Sequence, residues 1–195
     1  SRSQYNVIRD NIFINNGLDV FDSYNNVVEN NTVNGRPLVY LEKASDITIT
    51  EAGQVVLVNC TNITVTNLEL TKVSVGIDLL NTYNSTITGN NISDNHLTGI
   101  SLSYSNYITI SENNISNNLV GIDLDESYYN TITGNNISNN NGYGISLWDS
   151  HHNTISDNNI SNSHQFGIHL SRSQYNVIRD NIFINNGLDV FDSYN

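Results

Sequence analysis

The phrase Asn-Asn-Ile-Ser opens at Asn90, Asn113, Asn135 and Asn158, so the chain restates itself every 22 or 23 residues. A period of this length constrains the fold more than any other property of the sequence. Aligning on the glycine before each apolar pair gives Gly76, Gly99, Gly121, Gly144 and Gly167, followed by GIDLL, GISLS, GIDLD, GISLW and GIHLS. Period-two alternation sends Ile and Leu to one side and Asp, Ser or His to the other. A second apolar pair follows, as in Ile87 with Ile92 and Ile132 with Ile137. Each unit is therefore two or three short strands joined by Asn, Ser and Gly turns, with too little apolar surface to close a core alone. Stacking closes it.

The register predicts coils at 5–23, 24–44, 45–61, 62–82, 83–105, 106–128, 129–151 and 152–174, with 175–195 as an incomplete ninth. Small residues then share one column: Ser23, Ala44, Cys60, Thr82, Ser105, Ser127, Ser150, Ser173 and Ser193. A second column, Asn11, Asn31, Asn67, Asn91, Asn114, Asn136, Asn159 and Asn181, reads as an asparagine ladder at a sharp corner, where that residue tolerates left-handed dihedrals. Abundant β-branched residues, Asn and Ser argue against helix. The expectation is an all-β, parallel β-helix of about eight to nine coils of 16–23 residues, forming a single domain over 1–195.

The phrases NSTITGNNISDNHLTGISL and NTITGNNISNNNGYGISL resemble the repeats of NosD-like proteins, the carbohydrate-binding and sugar-hydrolase repeat group of bacterial and archaeal surface proteins. The stretch NTVNGRPLVYLEKASDITITEAGQVVLVNCTNITVTNLEL is similar to the segment preceding the regular coils in that group. The resemblance implies a right-handed coil. It also implies a periplasmic setting near copper insertion, but the chain has no methionine and one cysteine, so no metal or other cofactor is expected. The Asn-Thr-Asp, Asp-Asp, Gly-His-Gly and Arg-x-Lys signatures of polygalacturonase-like enzymes do not occur, which argues against that catalytic type.

With 7 Lys plus Arg and a net charge of −12, the sequence offers no cationic cluster for nucleic acid or anionic lipid. The longest apolar run, VVLV at 55–58, is far below the roughly 18 residues of a membrane-spanning helix. The outward face of the strands after Gly121, Gly144 and Gly167 gathers Asp123, Asp125, Trp148, Asp149, His169 and Arg172, a candidate glycan-binding patch weighed against an ordinary solvated face. Tyr107, Tyr129, His152 and Tyr175 form an aromatic column expected to stack on itself, and His151 beside His152 is a weak candidate for a metal pair. Of the Asn-x-Ser/Thr sequons, Asn84 lies in a differently phased turn and is the glycosylation candidate. Cys60, in the small column, is expected to be packed and unreactive.

Residues 1–25 recur letter for letter as 171–195, an offset of 170 residues. The chain begins in mid-phrase without a signal peptide, so the expectation is a segment cut from a tandem array, with covalently adjacent blocks of the same chain as partners and both copies at the same phase of the coil. The function this favours is a structural β-solenoid of an extracellular or cell-surface fibre, sheath or layer. The alternatives are a glycan-binding or glycan-cleaving module, with polysaccharide as partner, and an engineered solenoid scaffold.

Overall fold

A computed structural model of the protein describes residues 3–193, and every regular element among them is a strand. The fold is a parallel β-helix of about 8 turns. Sheets of ten, seven and six strands form its walls, with a separate two-stranded pair near the N-terminus. One coil shows the rule. Strands Thr86–Thr88, Asn91–Ser93 and Thr98–Ser103 each donate one strand to a wall, and Ile87, Ile92, Ile100 and Leu102 point inward at 0% exposure. The next coil repeats this with Ile110, Ile115, Ile122 and Leu124, so each inward side chain sits on its equivalent a coil away and the core is one continuous column.

Two features keep the coils in register. A Cβ on Gly76 or Gly99 would stand 2.7 or 2.6 Å from the carbonyl oxygen of the next glycine in the column, so only glycine permits this approach. In the small column, the backbone N–H groups of Thr82, Ser105, Ser127, Ser150 and Ser173 each donate to the hydroxyl one coil on, at 2.9 to 3.0 Å. Cys60 joins this column, buried, with its N–H donating to Thr82 Oγ1. Burial raises the thiol pKa above its ordinary value.

The asparagine ladder is real but displaced by one residue from the expected column. Asn90, Asn113, Asn135, Asn158 and Asn181 point inward. The N–H and side-chain amide of each donate to the Oδ1 of the next at 2.9 to 3.0 Å. Asn11 and Asn31 make the same contact near the N-terminus. By contrast Asn91, Asn114, Asn136 and Asn159 face solvent, where their amides link at 2.9 to 3.3 Å. Asn67 belongs to neither set; it aligns with Gly89 and, like Asp157 and Asp180, has a left-handed φ. The corner is therefore a left-handed residue followed by an inward asparagine whose amide satisfies turn groups that burial has removed from water. A second inner ladder, Asn95 to Asn118 to Asn140, stops where Ser163 replaces asparagine, leaving Asn140 Nδ2 and Ser163 Oγ buried without a partner.

The N-terminal coils depart from the expected continuous stack. Segments 5–13 and 25–33 pair with each other in the usual parallel sense, Val7 on Val27 and Ile12 on Thr32. The chain then reverses at Asn34 and Gly35, both left-handed (φ 51° and 79°), and strand Thr32–Val33 runs antiparallel to Arg36–Glu42. Two positive-φ residues between paired strands are the signature of a tight hairpin. The reversal lays residues 13–28 across the outer face of the ten-stranded sheet. There Phe13, Leu18, Val20 and Val28 meet the outward side chains Val56, Val58 and Leu80 in a second apolar cluster. Gln54, at 0% exposure, fastens this flap: Oε1 accepts the Leu18 N–H at 2.9 Å and Nε2 donates to Leu18 O at 2.7 Å. Asp78 is sealed beneath it, and burial pushes its carboxyl pKa up to about 7, with Asp19 adding to the rise.

Candidate functional site

The flap leaves the outer face of the ten-stranded sheet open beyond Ser101 and Ser103. Two outward columns cross this open area, Ser101, Asp123, Ser146, His169 and Asp189 in one, Ser103, Asp125, Trp148, Ser171 and Phe191 in the other. Neighbouring strands lie ~4.8 Å apart and side chains two residues apart on one strand ~6.5 Å apart. The expected patch residues are thus neighbours: Asp123 and Asp125 share a strand, and Trp148 sits beside Asp125. Asp123, Asp125, Ser146 and Trp148 line an open groove of about 350 Å³.

Trp148 is 45% exposed in spite of its size. The Arg172 guanidinium lies 4.3 Å from its ring centre, and Arg172 Nε is 3.7 Å from Asp149 Oδ2. This clamp fixes the indole in place, a cation–π contact worth about 0.5–1 kcal/mol at an exposed position. His169 Nδ1 lies 2.8 Å from Asp189 Oδ2, and its ring stacks on Tyr143 at 4.7 Å between centroids. Tyr143 and Asp189 were not among the sequence candidates. Tyr143 precedes the glycine column, outside the alternating run, and Asp189 lies in the incomplete last coil.

Burial raises the Asp123 carboxyl pKa above the ordinary range, partly offset by a hydrogen bond from Ser146. Burial also raises Asp125, and the negative charges of Asp123, Glu126 and Asp149 add to it. The groove therefore presents crowded carboxylates beside one fixed aromatic plane. Ionised carboxylates accept hydrogen bonds and do not donate, so their partners are hydroxyl, amino or cationic groups, and further negative charge is disfavoured.

Elsewhere the aromatic column stacks on itself: Tyr107 on Tyr129 at 5.3 Å, Tyr129 on His152 and His152 on Tyr175 at 5.0 Å. His151 instead stacks on Tyr128 and accepts the Gln174 N–H on Nδ1 at 2.8 Å. The two histidines are thus engaged separately. Asn84 is exposed on a left-handed turn.

Residues 48–195 match the family described as Periplasmic copper-binding protein (NosD). The chain belongs to the NosD family. No curated protein matches the sequence. Among solved structures, the Azotobacter vinelandii mannuronan C-5 epimerase AlgE4 A-module is similar, at 19% identity and a TM-score of 0.52, covering 96% of this chain and 55% of that one. The AlgE6 A-module from the same organism aligns at 17% identity and a TM-score of 0.40, covering 100% of this chain and 57% of that one. This NosD chain thus spans about half the length of those structures, and the likeness to the first concerns the fold.

Copper, named in the family's description, does not fit the donor set of this NosD chain. It has no methionine, and Cys60 is buried with a raised pKa. Among the described residues no three His, Cys, Asp or Glu side chains converge on a point. No copper chemistry follows from these residues.

Proposed function

We propose that the chain is an extracytoplasmic β-solenoid module whose lateral groove holds a neutral or amino-sugar polysaccharide. The observation that supports this reading is the groove of Asp123, Asp125, Ser146 and Trp148, where carboxylate acceptors flank an aromatic plane clamped by Arg172. A sugar ring has one face of C–H groups, which an indole covers, and an equator of hydroxyls, which carboxylates accept. The net charge of −12 disfavours uronate polymers. A location outside the cytoplasm agrees with the word periplasmic in the family's description.

Trp148→Ala tests the reading. Binding to a neutral or amino-sugar polysaccharide should weaken about 10-fold or more, roughly 1.4 kcal/mol, while stability changes by less than about 1 kcal/mol. The measurement is titration calorimetry against a glycan panel. Binding that survives the substitution, or no binding by the parent protein to any member, returns the patch to an ordinary solvated face.

A second reading, the structural segment of a surface fibre or layer, draws support from the 25-residue duplication. The mass of the intact parent protein tests it: many 170-residue blocks support a fibre, and a single block sinks it.

A further inference from the structure

The last coil ends in an edge whose partner is already visible elsewhere in the molecule. Residues 176–183 are identical to residues 6–13. The earlier copy carries a following coil, residues 26–33, on its C-terminal side. Val27 N–H donates to Asn6 O at 2.8 Å, Thr32 N–H to Asn11 O at 2.9 Å and Asp10 N–H to Glu29 O at 3.3 Å. Asn6 and Asn11 also donate to the amide oxygens of Asn26 and Asn31. These bonds repeat the pattern by which Val177 N–H and Ile182 N–H donate to Asn153 O and Asn158 O in the main stack. The sense of progression is therefore the same in both places.

In the later copy, no coil covers this edge among the described residues. Val177, Ile182 and Val190 are 49%, 60% and 56% exposed. The core opens there in a mouth of about 290 Å³ lined by Leu170, Ile178 and Val190. Charge agrees with sequence identity: Arg9 lies 4.0 Å from Glu29, so Arg179 would meet the same carboxylate.

We propose that residues 176–183 of one copy of this chain replace residues 6–13 against residues 26–33 of a second copy, joining molecules head to tail. The exchange preserves every local pairing, because the displaced and incoming segments have one sequence. Val28 and Val33 of the second copy then cover the open mouth of the first. What opposes it is the flap, since residues 6–13 are tied through Phe13, Leu18 and Val20 to their own sheet. Head-to-tail contact does not close on itself, so the product is an open chain of molecules.

Cysteine cross-linking in the full chain tests this. Val27 and Val177 would become directly opposed partners, within the Cα reach of a disulfide, and both side chains are exposed. With Cys60→Ser as background, Val27→Cys/Val177→Cys under mild oxidation should shift from monomer to a ladder of dimers, trimers and longer species, with peptide mapping showing 27–177 links. The control Val7→Cys/Val27→Cys should close within one molecule. Once closed, it should abolish association of the otherwise unmodified protein in sedimentation. A 27/177 variant that stays monomeric, or that links only 177 to 177, overturns the proposal, as does association that persists when the 7–27 bond is closed.

Discussion

Residues 5–13 and 175–183 have one sequence and two settings, and the contrast shows what a coil needs from its neighbours. In the later setting Ile178 and Phe183 pack against the main core, and strand Leu188–Phe191 pairs with Ile168–Ser171 in the ten-stranded sheet. In the earlier setting Ile8 lines a cavity of about 320 Å³, and residues 18–20 form no strand but lie on Gln54. Asp189 reaches His169, whereas its twin Asp19 faces the buried Asp78. Asn186, in its hydrogen-bonding orientation, accepts the N–H groups of Asn162 and Ser163; its twin Asn16 meets Ser74 Oγ. Local bonds within a coil survive the change of setting. What lies above and below the coil does not, so the core belongs to the stack and not to the repeat.

The largest effects should come from inward isoleucines at equivalent positions. Ile132→Ala, in mid-stack at 0% exposure, should cost about 2–5 kcal/mol. Ile178→Ala should cost roughly half as much, and Ile8→Ala under about 1 kcal/mol because its site is already hollow. Urea unfolding of the three variants orders them; equal costs would erase the distinction between settings.

Protonation should separate the copies next. The Asp78 carboxyl, raised to about 7 beneath the flap, binds its proton more tightly when buried than when exposed at its model value of 3.8. Docking of the flap is therefore favoured at low pH and loses stability as pH rises from about 4 to 7, after which the loss is complete. Asp19 is the charged group facing Asp78 from the flap, and Ser101 donates to it from the next strand. Hydrogen exchange, corrected for its intrinsic pH dependence, should show residues 16–22 losing protection between pH 5 and 8 while residues 186–192 do not. Asp78→Asn should remove this difference and stabilise the protein by about 1–3 kcal/mol at pH 8. A flap whose protection ignores both changes would show that Asp78 does not govern it.

The smallest effect concerns the later copy alone. Ser163→Asn would give Asn140 Nδ2 an acceptor and continue the second inner ladder toward Asn186. A gain of about 0.5–1.5 kcal/mol in thermal unfolding is expected, and a loss would mean the wider amide does not fit beside Gly144, whose Cβ position is 3.1 Å from Ser163 Oγ.

The walls, the glycine column and the small column were legible in the sequence because each is marked by one residue type at a fixed spacing. The inner ladder was misread by one residue because Asn90 and Asn91 are both asparagine, as are their equivalents, and either column looks regular. Leu68 carried the missing signal: it pairs with Asn90 at the same corner, and an apolar residue there marks the inward position. The flap was written in Asn34-Gly35 and in the apolar outward residues Val56, Val58 and Leu80, which a solvated face would not hold. The patch residues were found because alternation fixes which side they face. Tyr143 and Asp189 lay outside the alternating runs from which candidates were drawn.

The spacing between the second inner ladder and the glycine column varies where nothing else does. Asn95 precedes Gly99 by four residues, Asn118 precedes Gly121 by three, and Asn140 and Ser163 precede Gly144 and Gly167 by four. Beyond each glycine the strands resume the same pairing, Ile100 on Ile122 on Ile145 on Ile168. All slack in the 22- or 23-residue period is thus confined to one corner, where Leu97, Leu119 and Phe166 stand exposed. This edge is the natural seam for insertions: a guest loop spliced there would leave every ladder unbroken, and a series of such loops would emerge in a line, one coil apart.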